Sequence, residues 1–131
     1  MAITPHLVVV GGKKAVEFYK AAFGAIELRV AEAEDGERLM HAELKIGDAA
    51  LFLCDDFPEY SNGLKRDPLS TGVSNVVLHQ DVPDADAAIA RAAAAGATVT
   101  MPAADMFWGD RYGQIKDPFG HTWSFAHKLA K

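Results

Sequence analysis

The chain has 131 residues, 50% hydrophobic and 24% charged, with thirteen Lys+Arg against eighteen Asp+Glu. Those proportions fit a single globular domain and exclude a disordered, collagen-like or disulfide-stapled chain. A net charge of −5 repels a phosphate backbone on average, so nucleic acid is not an expected partner. No apolar run approaches the roughly 18 residues that span a bilayer, so no membrane role is expected. Met1–His6 carries neither a basic stretch nor a cleavable apolar one, and Cys54 is the sole cysteine. The expectation is a cytoplasmic protein whose one thiol is buried on a strand.

In chain order, Ile3–Val10 is rich in strand-forming residues. Lys13–Phe23 then places Val16, Tyr19 and Phe23 on one face beside Ala15, Phe18 and Ala22, which predicts an amphipathic helix stopped at Gly24. Three strands follow, Ile26–Glu34, Glu37–Ile46 and Ala49–Cys54, separated by turns at Glu34–Glu37 and Ile46–Asp48. The acidic, Pro- and Gly-bearing stretch Asp55–Gly72 reads as a linker.

The order then repeats. Val73–Val82 is β-rich, Pro83 sits where a first helical turn accepts it, and the alanine-rich Asp84–Ala95 ends at Gly96, 72 residues after Gly24. Strands are expected at Thr98–Ala103, Phe107–Lys116 and His121–His127, with a turn at Asp117–Gly120. Each half reads βαβββ: one module over about 3–54, the linker over 55–72 and a second module over about 73–127. In an α+β fold of this kind one helix covers one face of each sheet and leaves the other to line a cleft for a small ligand.

The strings Ile3–Val9, Ala15–Lys20, Met40–Asp48, Ala95–Val99, Asp105–Gly113 and Asp117–Ser124 carry a further signal. Together with the doubled βαβββ order they resemble the vicinal oxygen chelate superfamily, which includes glyoxalase I, extradiol dioxygenases and bleomycin-resistance proteins, and in particular its PhnB-like branch. The resemblance implies one domain of paired βαβββ modules and a homodimer, which would also cover exposed sheet edges. It also implies a metal held by one residue from the first and last strand of each module. Register places those positions at Pro5, Leu51, Val77 and Ser124. A ring-locked backbone, two aliphatic side chains and one hydroxyl cannot replace imidazole and carboxylate ligands. The expectation is therefore no metal cofactor. His6 lies one residue from the first position, and strand alternation would put it on the opposite face unless Pro5 disturbs the strand.

Alternation also gathers His41, Glu43 and His79 on the cleft side, against a helix-facing row of Met40, Ala42, Leu44 and Ile46. Three readings stay open for these groups: a displaced metal site, an acid–base set, or ordinary hydrogen-bonded strand residues. Asp105–Gly113 is the most chemically loaded stretch. There Trp108 offers a stacking surface, Asp110 and Arg111 bring opposite charges, and Tyr112 adds a ring and a hydroxyl. It reads either as a pocket rim, with Arg111 pairing an anionic group, or as a surface ion pair beside core aromatics. His121 and Trp123 alternate away from Ser124 and are expected to pack at the turn or under the helix.

The functional expectation is a small-molecule-binding protein that sequesters an aromatic or anionic compound through Trp108, Asp110, Arg111, Tyr112 and Ser124. The alternative is a lyase or isomerase acting through His41, Glu43 and His79, with or without a divalent metal. Some relatives of this branch are labelled methyltransferases, but the chain has no glycine-rich nucleotide loop after a strand.

Overall fold

The structure is a computed structural model that describes residues 1–130. It divides into two compact units, Met1–Val73 and Ser74–Lys131, each with the βαβββ order. No helix among the described residues is long and apolar enough to cross a membrane.

In the first unit β1 (His6–Val9), α1 (Gly12–Phe23), β2 (Ile26–Glu32), β3 (Leu39–Ile46) and β4 (Ala49–Asp55) build a sheet ordered β1-β4-β3-β2. β1 runs parallel to β4 and the remaining pairs are antiparallel. Helix α1 buries Ala15, Val16, Phe18, Tyr19 and Ala22, the face expected from spacing, and ends at Gly24 in the left-handed conformation. Leu7, Val9, Ala42, Leu44, Leu51 and Leu53 form the buried floor beneath it. Directly paired residues share a face, so the pairs Leu7–Leu53, Ala42–Leu53 and Leu44–Leu51 fix that floor.

Helix α1 has no side-chain N-cap. Its entry is held by the buried Asp55 at the end of β4. Asp55 Oδ1 accepts from the N–H groups of Gly11 and Gly12, at 2.9 and 3.0 Å, and Oδ2 accepts from Leu39 N–H at 2.7 Å. One carboxylate thus satisfies helix-start donors and ties them to β3.

The stretch expected to be a plain linker is folded: a 3₁₀ turn, Pro58–Tyr60, precedes α2 (Pro68–Thr71), which Asp67 caps by accepting from Ser70 N–H at 3.0 Å.

In the second unit β5 (Val77–Asp81), α3 (Ala85–Ala95), β6 (Thr98–Asp105), β7 (Asp110–Lys116) and β8 (Thr122–Lys128) form a sheet ordered β5-β8-β7-β6. Asp84 is the N-cap of α3, accepting from Ala87 N–H at 3.1 Å, so Pro83 precedes the cap and is not in the first turn. β7 begins at Asp110, later than the expected Phe107. The chain between β6 and β7 turns through bonds from Met106 N–H to Asp110 O and from Gly109 N–H to Met106 O. Ile115, Trp123 and Phe125 fill the space under α3. The Asp117 turn forms as expected. Asp117 accepts from the N–H groups of Phe119 and His121 and from Trp123 Nε1, which holds Trp123 inward.

Candidate functional site

Each sheet has a face away from its helix, and alternation decides what that face carries. In the first unit His6 pairs with Phe52, and Phe52 with Glu43, opposite in phase to the buried leucines. The open face therefore presents His6, His41, Glu43 and Phe52. The rings of His6, His41 and Phe52 stand nearly perpendicular to one another, with centroids 4.8–6.0 Å apart. His41 Nε2 lies 3.2 Å from Glu43 Oε1, and Arg29 reaches the same oxygen at 3.6 Å. Partial burial first, then the neighbouring His41 and Arg66 charges, hold the His6 imidazole below its usual value.

Three expectations change here. His6 lies on the open face without any irregularity, whereas Leu51, expected there, is buried under α1. Counting residues from Gly47 and Gly120 gives sequence distance and not phase. The first pair beyond one turn, Ile46–Ala49, shares the face of Leu51, while the first pair beyond the other, Lys116–Thr122, shares the face of Ser124. Met40 does not join the helix-facing row. The β2–β3 pairing shifts between Ala31–His41 and Glu32–Leu39, so Leu39 takes the buried slot and Met40 stays 46% exposed. Cys54 is half-buried and pairs with Val8 on the open face.

In the second unit the face away from α3 carries His79, Ser124, Gln114 and Tyr112, fixed by the pairs His79–Ser124, Gln114–Ser124 and Tyr112–Ala126. His79 sits in a hydrogen-bonded line: Nδ1 is 2.7 Å from Ser124 Oγ, and Nε2 is 2.9 Å from Asp81 Oδ1. If Asp81 accepts the Nε2 proton, bare Nδ1 accepts from the Ser124 hydroxyl, which fixes the neutral ring in one tautomer. The His79 ring lies parallel to Tyr112 within 13°, centroids 6.1 Å apart. Trp108 meets Tyr112 edge-on at 5.9 Å and donates Nε1–H to Asp110 at 3.1 Å. Gln114 donates to the Tyr112 hydroxyl at 2.9 Å. Beside these rings an open hollow of about 690 Å³ is lined by Asp81, Val82, Pro83, Asp110, Ala126, His127 and Lys128. Asp81 and Asp110 belong to both the hollow and the ring array.

Arg111 is placed differently from the expectation. It alternates to the helix side, where Nε and Nη2 pair with both oxygens of Asp86 on α3, at 2.6 and 2.9 Å, and Nη1 pairs with Asp105 at 2.9 Å. Each guanidinium nitrogen is engaged with a carboxylate, so Arg111 is an ion-pair residue, but its partners are Asp86 and Asp105 and not the neighbouring Asp110, which accepts from Trp108 Nε1, and Trp108 is exposed and not in the core. The expectations put His6 on the wrong face and did not single out Phe52 on the first open face or Asp81 and Gln114 on the second. Asp81 was legible, two residues beyond His79 on one strand and hence on the same side.

The model of the Glyoxalase/Bleomycin resistance protein/Dioxygenase superfamily matches residues 4–125. The chain belongs to this superfamily. Among its relatives, the uncharacterized protein Mb0911c of Mycobacterium bovis is 46% identical over 128 residues, covering 98% of this chain and 84% of that one. The crystallographic structure of the At5g48480 product of Arabidopsis thaliana superposes with a TM-score of 0.76 at 32% identity, over 97% of this chain and 98% of that one. TioX from Micromonospora sp. ML1 gives 0.72 at 25%, over 98% and 99%. The PhnB protein of Bacillus cereus shares the fold at 0.68 and 17% identity, over 99% of this chain and all of that one.

The residues present do not fit the metal some members of the superfamily use. Opposite His6 on the closing strand stands Phe52, a hydrocarbon, and opposite His79 stands Ser124, whose hydroxyl is engaged by His79. Among the described residues no group of three or more His, Cys, Asp or Glu side chains is placed to hold a metal ion.

Proposed function

We propose that the protein binds a planar aromatic compound on the open face of its second unit and sequesters it there. The observation that carries this reading is the array Trp108–Tyr112–His79, in which Tyr112 pairs with a ring on either side, beside a hollow of ligand size. Trp108 is 52% exposed although it is a large apolar residue, so it retains surface for a guest. Ser124 and Asp81 orient His79, while Gln114 orients Tyr112, so the platform is set before binding.

Local charge selects among aromatic guests. Two carboxylates, Asp81 and Asp110, flank the rings against one cation, Lys128, in the hollow's lining, and Arg111 is engaged by Asp86 and Asp105, so the balance of charge favours a guest bearing a cation or hydrogen-bond donors over an anion. Membership of the PhnB-like branch is part of this proposal and is supported by strings such as Met40–Asp48 and Asp105–Gly113.

The test is fluorescence titration with 9-aminoacridine, a planar cation, and 2-naphthoate, a planar anion. Trp108 reports the site. Trp123, 3% exposed and bonded to Asp117, serves as an internal reference. Saturable quenching by the cation, lost in W108F and weakened roughly tenfold in Y112A, is expected from stacking energies of this size. Quenching that persists in W108F, or a preference for the anion, overturns the reading.

A second reading, an acid–base role on the first unit, is favoured by the contact between His41 and Glu43. It requires that H41Q abolish turnover of a substrate while leaving its binding intact.

A further inference from the structure

The turn between β6 and β7 has unusual central residues. Gly109 N–H bonds to Met106 O at 3.1 Å, which makes Phe107 and Trp108 the two middle positions of a β-turn. Such positions favour Gly, Asn, Asp, Pro and Ser, each for a backbone reason that an aromatic side chain does not share. Burying an aromatic ring is among the largest gains a side chain offers, yet Phe107 stays 98% exposed. Neither turn chemistry nor core packing accounts for a ring there.

The two rings are held differently. The turn's backbone is pinned by Met106 N–H to Asp110 O at 2.8 Å and by Leu129 N–H to Gly109 O at 2.9 Å. Trp108 is pinned as well, through Nε1–H to Asp110 and its edge contact with Tyr112. Phe107 meets Trp108 with centroids 5.1 Å apart and planes at 87°, and its side chain has no polar atom by which it could be tied. An exposed ring of this kind changes rotamer on a fixed backbone within nanoseconds.

We propose that Phe107 is the moving jaw of the guest site: it rotates off Trp108 and closes over the outer face of a flat guest, which is then held between the two rings. This inference rests on the reading of the open face as a guest site and narrows the guest to a fused planar ring system with two unobstructed faces. Spacing requires the movement. A stacked guest needs about 3.5 Å on each side, whereas Phe107 and Trp108 stand edge to face at 5.1 Å and leave no slot between them. A compound with a bulky group on either face cannot be enclosed. Asp110, the residue after the turn, both holds Trp108 and lines the hollow, so a carboxylate stands beside the jaw for a cationic edge of the guest. Closing removes the Phe107 ring and the second guest face from water together. The effect therefore falls on release of the guest more than on its capture.

The test is stopped-flow fluorescence with 9-aminoacridine on wild type, F107L and F107A, read through quenching of Trp108. F107A is expected to release the dye about tenfold faster, with an association rate within about twofold of wild type, and F107L to fall between the two. Because Phe107 is 98% exposed, both variants are expected to keep the wild-type urea midpoint. Unchanged release in F107A overturns the jaw and leaves the guest site standing, since Trp108 still quenches. Faster association with unchanged release also overturns it, because Phe107 is then a cover on Trp108 and not a jaw. Absence of saturable quenching in wild type overturns the guest site itself, and the jaw with it.

Discussion

At the end of its last strand the first unit places Asp55, and near the end of its own the second places His127. Both turn back to the start of the unit's helix. Asp55 accepts from Gly11, Gly12 and Leu39 N–H groups, and α1 has no other side-chain cap. His127 Nδ1 accepts a single N–H, from Ala85 at 2.8 Å, and α3 also has the Asp84 cap. The repeated topology preserves a location for an acceptor but not its chemistry. Where the helix start lacks its own cap, the strand supplies a charged group; where a cap exists, a neutral ring suffices.

The largest expected effect breaks this comparison at its stronger end. D55A strands three donors, two of them in fully buried bonds, and is expected to cost about 3–5 kcal/mol in urea unfolding. D55N keeps one acceptor oxygen and loses less. H127A leaves the Asp84 cap in place and is expected to cost about 1 kcal/mol. A loss in H127A equal to that in D55A would mean that Asp84 contributes little to α3.

Between these lie two close approaches. In the first unit a methyl on Gly12 would collide with Asp55 Oδ2 and stand 3.2 Å from Leu39 Cβ. In the second a methyl on Gly113 would meet Ile89 Cδ1 at 2.5 Å and the β6 backbone at Met101 O and Ala103 N, 2.8 and 2.9 Å away. Side chains yield more readily than a paired strand. G113A is thus expected to cost about 2–3 kcal/mol and G12A about 1–2, both by thermal or urea unfolding. A larger loss in G12A would show that the Asp55 network is the stiffer of the two.

The repeat, the two helices and the helix-facing floor were legible because spacing, alternation and turn residues all agree over long segments. Individual strand faces were legible only where no bulge intervened. Glu43 and His79 follow plain alternation, whereas Met40 and Leu39 exchange places at a register shift that leaves no mark in composition. Leu51 was misplaced because sequence distance from a glycine does not carry phase across turns of different length. Arg111 was chemically conspicuous, but its partners Asp86 and Asp105 come from a separate helix and strand. That pairing exists only once α3 packs on the sheet.

A smaller effect concerns pH. Because folding holds His6 below its ordinary value, the folded state binds fewer protons there than the unfolded chain. The resulting stability is present above about pH 6.5 and is lost as pH falls through the lowered value. The difference in stability between wild type and H6Q is expected to narrow on acidification below pH 6.5. A constant difference would mean that His6 is as solvated in the fold as outside it.

Arg111 gives the smallest expected effect and the sharpest check on the second unit's two faces. Its ion pairs with Asp86 and Asp105 are surface pairs, one of them to a carboxylate that is 64% exposed, and such pairs contribute little because water screens them. R111Q is expected to shift the melting temperature slightly, and to shift it less as salt is added. Its effect on 9-aminoacridine binding decides more. Tyr112 faces the ring array while Arg111 faces α3, so a guest stacked on Trp108 and Tyr112 never meets the guanidinium. Unchanged affinity in R111Q beside a loss in Y112A would place the guest on the face away from the helix. Equal losses would instead mean that the guest reaches past the start of β7 to the helix side, and that the ion pairs with Asp86 and Asp105 open to admit it.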